Sequence, residues 1–132
     1  MRPALALAAL LVVARAPSDA LSLPQDQPPA PKAVQVVEVT AERFSFTPSE
    51  IRTVVGTTVQ IRLRSDDTNH GFRIVGTDVN IEIPKRGRGV AMVAFTPDRA
   101  GKFTFECSHL CGAGHSFMRG EILVDDPARE AR

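Results

Sequence analysis

Thr58-Val59-Gln60-Ile61-Arg62-Leu63-Arg64 alternates strictly between polar and apolar residues, the period of a strand with one face on a core and the other in water. Outward from it, short runs of β-branched and aromatic residues recur, separated by Gly, Pro, Asp or Asn at intervals of roughly eight to twelve residues. Val34–Ala41, Phe44–Phe46 and Ile51–Val55 precede it; Phe72–Val75, Val79–Ile83, Gly89–Phe95, Lys102–Glu106 and Glu121–Val124 follow. Thr47-Pro48, Val55-Gly56, Gly76, Gly87 to Gly89 and Pro97 to Gly101 supply the turns between them. Beyond the apolar N-terminus, no window of about eleven residues carries a helical apolar period. The pattern predicts an all-β domain, a sandwich or barrel of many short strands with little helix. Phe44, Phe46, Phe95, Phe103 and Phe105 alternate with polar neighbours and read as core, as does Met92 within its strand.

Composition sets the frame. The chain has 132 residues, 16 Lys and Arg against 15 Asp and Glu, and two Cys, which suits one small domain. A net charge of +1 spread in mixed signs excludes the electrostatic footprint of a nucleic-acid binder or of a protein held to an anionic membrane surface. Two cysteines cannot staple a scaffold, so the fold rests on an apolar core and the thiols are left for chemistry. Arg2, the apolar run Ala4 to Ala14, and Ala14-Arg15-Ala16 or Ser18-Asp19-Ala20 read as an export signal over residues 1–20. That run is short of the ~20 residues a bilayer demands. Pro24, Pro28, Pro29 and Pro31 make residues 21–33 an extended linker. The domain is then 34–126, with a charged tail over 127–132. The expected product is an exported, soluble, periplasmic domain, neutral once the signal is removed. Lys85-Arg86-Gly87-Arg88 reads as a basic turn, either solvated or a docking patch for an acidic redox partner.

The chemistry is concentrated in Cys107-Ser108-His109-Leu110-Cys111-Gly112-Ala113-Gly114-His115-Ser116-Phe117-Met118. Thiolate, imidazole and thioether donors together suit copper, whereas oxygen donors suit calcium, magnesium or manganese. Zinc stays open through two Cys and two His, but has no use for a Met, and its structural sites favour a distant His pair. A simple disulfide between Cys107 and Cys111 is the plainer alternative in an oxidising compartment. The loop lies between two predicted strands, and Gly112 and Gly114 let its backbone fold tightly around a small centre. His70, at a predicted turn-to-strand junction, gains weight as a ligand only beside that loop.

His70-Gly71-Phe72 followed by Cys-x3-Cys-x3-His-x2-Met resembles the binuclear copper (CuA) domain of cytochrome c oxidase subunit II, and the related domain of nitrous oxide reductase. The likeness runs from about Val36 to Val124. It takes in Phe44-Ser45-Phe46-Thr47-Pro48 and Gly76-Thr77-Asp78-Val79-Asn80-Ile81, and is nearest the short oxidase branch. It implies a cupredoxin fold, a Greek-key β-sandwich or barrel with metal at one end. It also implies two copper ions: Cys107 and Cys111 bridge both, His70 and Met118 complete one, and His115 and the carbonyl of His109 complete the other.

The family's usual residue at position 109 is acidic and serves a magnesium site; His109 retains the carbonyl role and forfeits the magnesium one. The absence of Trp and Tyr removes the aromatic electron-entry patch of long-branch subunit II. The implied role is an electron carrier with no catalytic activity alone, serving a redox partner such as cytochrome c or a terminal oxidase core. Three other readings stand beside it. The chain is a membrane-associated oxidase subunit held by an uncleaved signal, a periplasmic copper-binding or delivery protein, or a mononuclear copper protein using His70, one Cys, His115 and Met118.

Overall fold

The computed structural model describes residues 32–132. The predicted signal and nearly all of the predicted linker lie outside the described residues. Nine strands follow in order: β1 (Val34–Glu42), β2 (Ser45–Thr47), β3 (Glu50–Val54), β4 (Thr58–Ser65), β5 (His70–Ile74), β6 (Asn80–Ile83), β7 (Ala91–Phe95), β8 (Gly101–Glu106) and β9 (Arg119–Asp125). Each coincides within a few residues with a run read from the sequence. Beyond β9, the predicted tail begins with one helical turn, α1 (Pro127–Glu130). Asp126 caps it by accepting from the Ala128 amide at 3.0 Å, and Pro127 opens it, where the missing N–H costs nothing.

The strands form two sheets, β2-β1-β4-β7 and β3-β9-β8-β5-β6. β1 runs parallel to β4, and β3 parallel to β9; the other pairings are antiparallel. Alternation decides which face each sheet buries. Val59, Ile61 and Leu63 of β4 are fully buried, and their neighbours Arg62 and Arg64 face water. The buried faces of both sheets meet in one cluster. At its centre Phe46, Phe72 and Phe105 pack with ring centroids 5.1–5.8 Å apart, two of the three contacts edge-to-face as the ring quadrupoles favour.

Two apolar expectations are corrected. Met92 is exposed, because Ala91 and Phe95 of β7 point inward and the period of two puts position 92 on the opposite face. Phe44 is 37% exposed; it precedes β2 in the corner after β1, where strand alternation no longer applies. Among the described residues no helix is long and apolar enough to cross a membrane.

Antiparallel pairing of β5 with β8 matches Arg73 with Glu106 and Ile74 with Phe105. Continued one turn toward the sheet end, that register brings His70 and Gly71 alongside the segment just past β8. The β4–β5 connection and the β8–β9 connection therefore meet at one end of the sandwich.

Candidate metal centre

His70 opens β5 and is completely buried. Its Nε2 lies 2.6 Å from Asp67 Oδ1, so that nitrogen carries the proton and donates, leaving Nδ1 as the free lone pair. Asp67 is held in turn. Its Oδ2 accepts from the Arg43 amide at 2.8 Å and its Oδ1 from the Thr68 amide at 2.7 Å. Burial by itself would raise the Asp67 pKa; the hydrogen bonds from His70, Arg43 and Thr68 outweigh it and bring the group to about 2. The carboxylate is thus ionised throughout the physiological range and fixes the orientation of the imidazole.

The Cys107–Met118 loop is closed at its base by the Cys107 amide donating to the Met118 carbonyl at 3.0 Å, which extends the β8–β9 ladder by one rung. Tight turns shape the rest: His115 N–H donates to Gly112 O at 3.1 Å and Phe117 N–H to Gly114 O at 3.0 Å, the second around a single 3-10 turn at His115–Phe117. Gly112 takes φ +143°, a conformation that residues with a side chain rarely adopt. Gly71 permits the close approach of β5. A Cβ there would fall 2.6 Å from the His109 nitrogen, and the bare Gly71 amide instead lies 3.5 Å from Cys107 Sγ as a donor.

These constraints gather the donors. Cys107 and Cys111 are both free and buried, with their sulfurs 3.8 Å apart. His70 Nδ1 is 4.0 Å from Cys107 Sγ, and the His109 carbonyl oxygen 3.1 Å from it. On the other side, His115 Nδ1 is 3.7 Å and Met118 Sδ 3.9 Å from Cys111 Sγ. The ligand atoms of His70, Cys107 and Cys111 lie within 4.8 Å of one another. Two free thiols, two imidazole nitrogens, a thioether and a carbonyl, with no carboxylate among the facing atoms, form a soft set that fits copper. Burial first, and then the adjacent Cys107, push the Cys111 thiol up to about 11; a metal must displace that proton to bind.

All six residues singled out in the sequence therefore converge, His109 through its backbone. Its imidazole points away, 46% exposed and 3.9 Å from Glu82 Oε2. Phe72 is wholly buried and can exclude water from below, whereas Phe117 is 80% exposed and Leu110 78%, so the outer loop surface is open and apolar. Lys85, Arg86 and Arg88 are exposed, and the Arg86 amide donates to Asp67 O at 3.1 Å.

Sequence reasoning missed Asp67, Gly71, Arg43 and Phe44. An acid three residues before a histidine in a polar turn was a readable signal for Asp67. Arg43, whose Nε donates to the Cys111 carbonyl at 2.8 Å across 68 positions, carried none.

The chain matches the cupredoxin-like domain family over residues 4–124. It is 33% identical over 90 residues to cytochrome c oxidase subunit 2 of Thermus thermophilus, which covers 68% of this chain and 65% of that protein. The chain thus spans less than two thirds of that relative. Its fold is similar to a chain of a heme-copper terminal oxidase dimer, with a TM-score of 0.61, 29% identity, and coverage of 69% of this chain and 65% of the other. It also resembles the periplasmic domain of subunit II of cytochrome oxidase of Bradyrhizobium japonicum. There the TM-score is 0.64 at 22% identity, covering 76% of this chain and 91% of that one. Two mixed sheets and a buried soft donor set at one end agree with the family match: the chain belongs to the cupredoxin-like domain family.

Proposed function

We propose that this domain is an exported, periplasmic electron-transfer protein built to hold two copper ions. Cys107 and Cys111 would serve both positions. His70 and Met118 would complete one, and His115 and the His109 carbonyl would complete the other. One observation carries the reading: each of these two pairs has one member beside each sulfur. His70 flanks Cys107 and Met118 flanks Cys111; the His109 oxygen flanks Cys107 and His115 flanks Cys111. A mononuclear copper site using His70, one Cys, His115 and Met118 would leave the other thiol without a role, and a single zinc on two Cys and two His would leave Met118 without one.

Bound there, a copper pair supplies one-electron storage shared over both metals, so that little rearranges as charge comes and goes. The chain does the rest. Asp67 holds the His70 tautomer and ring plane, Gly71 brings β5 close to Cys107, and buried Phe72 and Phe105 exclude water beneath the donors. The half-buried ring of His115, beside exposed Leu110 and Phe117, is the point where electrons enter or leave. The partner is a redox protein such as cytochrome c or a terminal oxidase core.

The test is copper content and electron paramagnetic resonance of the purified, copper-loaded protein. Two coppers per chain with a seven-line hyperfine pattern support the reading. One copper with four lines, or zinc in preference to copper, overturns it. A second reading, the electron-entry subunit of a membrane oxidase, is favoured by relatives that are named as oxidase subunits. Recovery of the native protein in membranes together with haem would select it over a free carrier.

A further inference from the structure

The corner between β1 and β2 engages both donor-bearing segments at once. The Arg43 amide donates to Asp67 Oδ2 at 2.8 Å, and Asp67 Oδ1 holds His70 Nε2. The Arg43 side chain turns the other way, and its Nε donates to the Cys111 carbonyl at 2.8 Å. The next ring reinforces this: a Cβ on Gly112 would lie 2.9 Å from Phe44 Cε1, and one on Gly114 would collide with the same ring. Phe44 therefore lies directly on the two glycines of the loop, which explains why it is only partly buried and outside the core.

That loop has no regular structure between Cys107 and Gly114 and contains two glycines, so ordering it is entropically costly. A hydrogen bond from an ionised donor to a carbonyl is among the stronger ones available. Arg43 touches none of the six donor atoms, so any influence it has on the centre passes through the Cys111 peptide and through its fixed positive charge.

We propose that Arg43 is a positioning residue. It latches the Cys107–Met118 loop in its donor-ready form before metal arrives and holds a permanent cation beside the centre. The charge half of this rests on the copper reading above; the latch half does not.

The test uses the full chain with Arg43→Met, which retains the aliphatic stem, and Arg43→Lys, which retains the charge but removes the Nε donor. Loop order is read in the metal-free, reduced protein as amide hydrogen exchange of peptides covering residues 107–118. Exchange is expected to be about tenfold faster in Arg43→Met and faster than wild type in Arg43→Lys. Peptides from β4 and β9 should be unchanged. In the copper-loaded protein the reduction potential is expected to fall in Arg43→Met, because a cation favours the reduced, less positive state, and to be restored in Arg43→Lys. Wild-type exchange across 107–118 in both variants overturns the latch. An unaltered potential in Arg43→Met overturns the charge role. A wild-type protein without the seven-line signature sinks the binuclear reading and leaves the exchange result to decide the latch independently. Arg43 is exposed, and if Arg43→Met did not fold, Arg43→Lys alone would carry the latch measurement.

Discussion

Replacing Gly71 by Ala adds one methyl group at the point where β5 meets the ligand loop. The added carbon would lie 2.6 Å from the His109 nitrogen and 2.9 Å from the Ser108 carbonyl carbon, whereas ordinary contacts begin near 3.4 Å. The nearest obstruction, Ser108 Oγ at 2.2 Å, could turn aside, but these two atoms are backbone and no rotamer change relieves them, so strand and loop must part by about 0.8 Å. The Gly71 backbone is itself unexceptional, which makes the effect one of space rather than of φ. Overpacking of this kind costs about 1–3 kcal/mol of folding stability. The same displacement draws His70 Nδ1 and the Gly71 amide away from Cys107 Sγ, now 4.0 and 3.5 Å distant. Loss of such supporting geometry weakens metal binding by roughly 10- to 100-fold. The assay is competition for Cu(I) with a chromophoric chelator, paired with a urea melt of the metal-free protein. Wild-type affinity together with wild-type stability in Gly71→Ala would refute the claim that this glycine sets the approach of β5 to the loop.

Phe105→Ala removes the fully buried ring that packs on both Phe46 and Phe72 and should cost about 3–5 kcal/mol in a chemical-denaturation curve; a loss below about 1 kcal/mol would contradict that packing. Met92→Gln, on the exposed face of β7, should change stability by no more than about 0.5 kcal/mol, and a large loss would return Met92 to the core. In the metal-free protein Asp67, depressed from 3.8 to about 2, stabilises the fold fully above pH ~4. That contribution, about 1–2 kcal/mol after solvent screening, is lost as pH falls toward 2. Asp67→Asn should flatten this acid limb of the stability profile, and an unaltered limb would assign it to other groups.

The strands were legible because their evidence is local. A period of two, β-branched residues and turn glycines recur along the chain without reference to anything distant, and every predicted run became a strand. The donors in the 107–118 loop were legible for the same reason, since softness and spacing are properties of twelve consecutive residues. Burial was less so. Phe44 looks like Phe46 in sequence, but one lies in a corner on the ligand loop and the other inside the sandwich. Met92 differs from Val93 only by the parity of its strand, which pairing with β4 sets.

From sequence alone came the all-β class and a soft, copper-suited candidate set in the 107–118 loop, because each follows from residue type and near-neighbour spacing; the candidate roles of His70 and the His109 carbonyl came through the resemblance to the CuA domain. The tertiary structure alone decided that one donor of each pair stands beside each sulfur. It also decided that the His109 carbonyl lies beside Cys107 while its ring turns to Glu82, and that Arg43 reaches the Cys111 peptide. Those are contacts across as many as 68 positions, created when the β1–β2 corner, the β4–β5 connection and the β8–β9 loop are carried to the same end of the sandwich. Strand pairing brings them together, and no local pattern in the chain encodes that meeting.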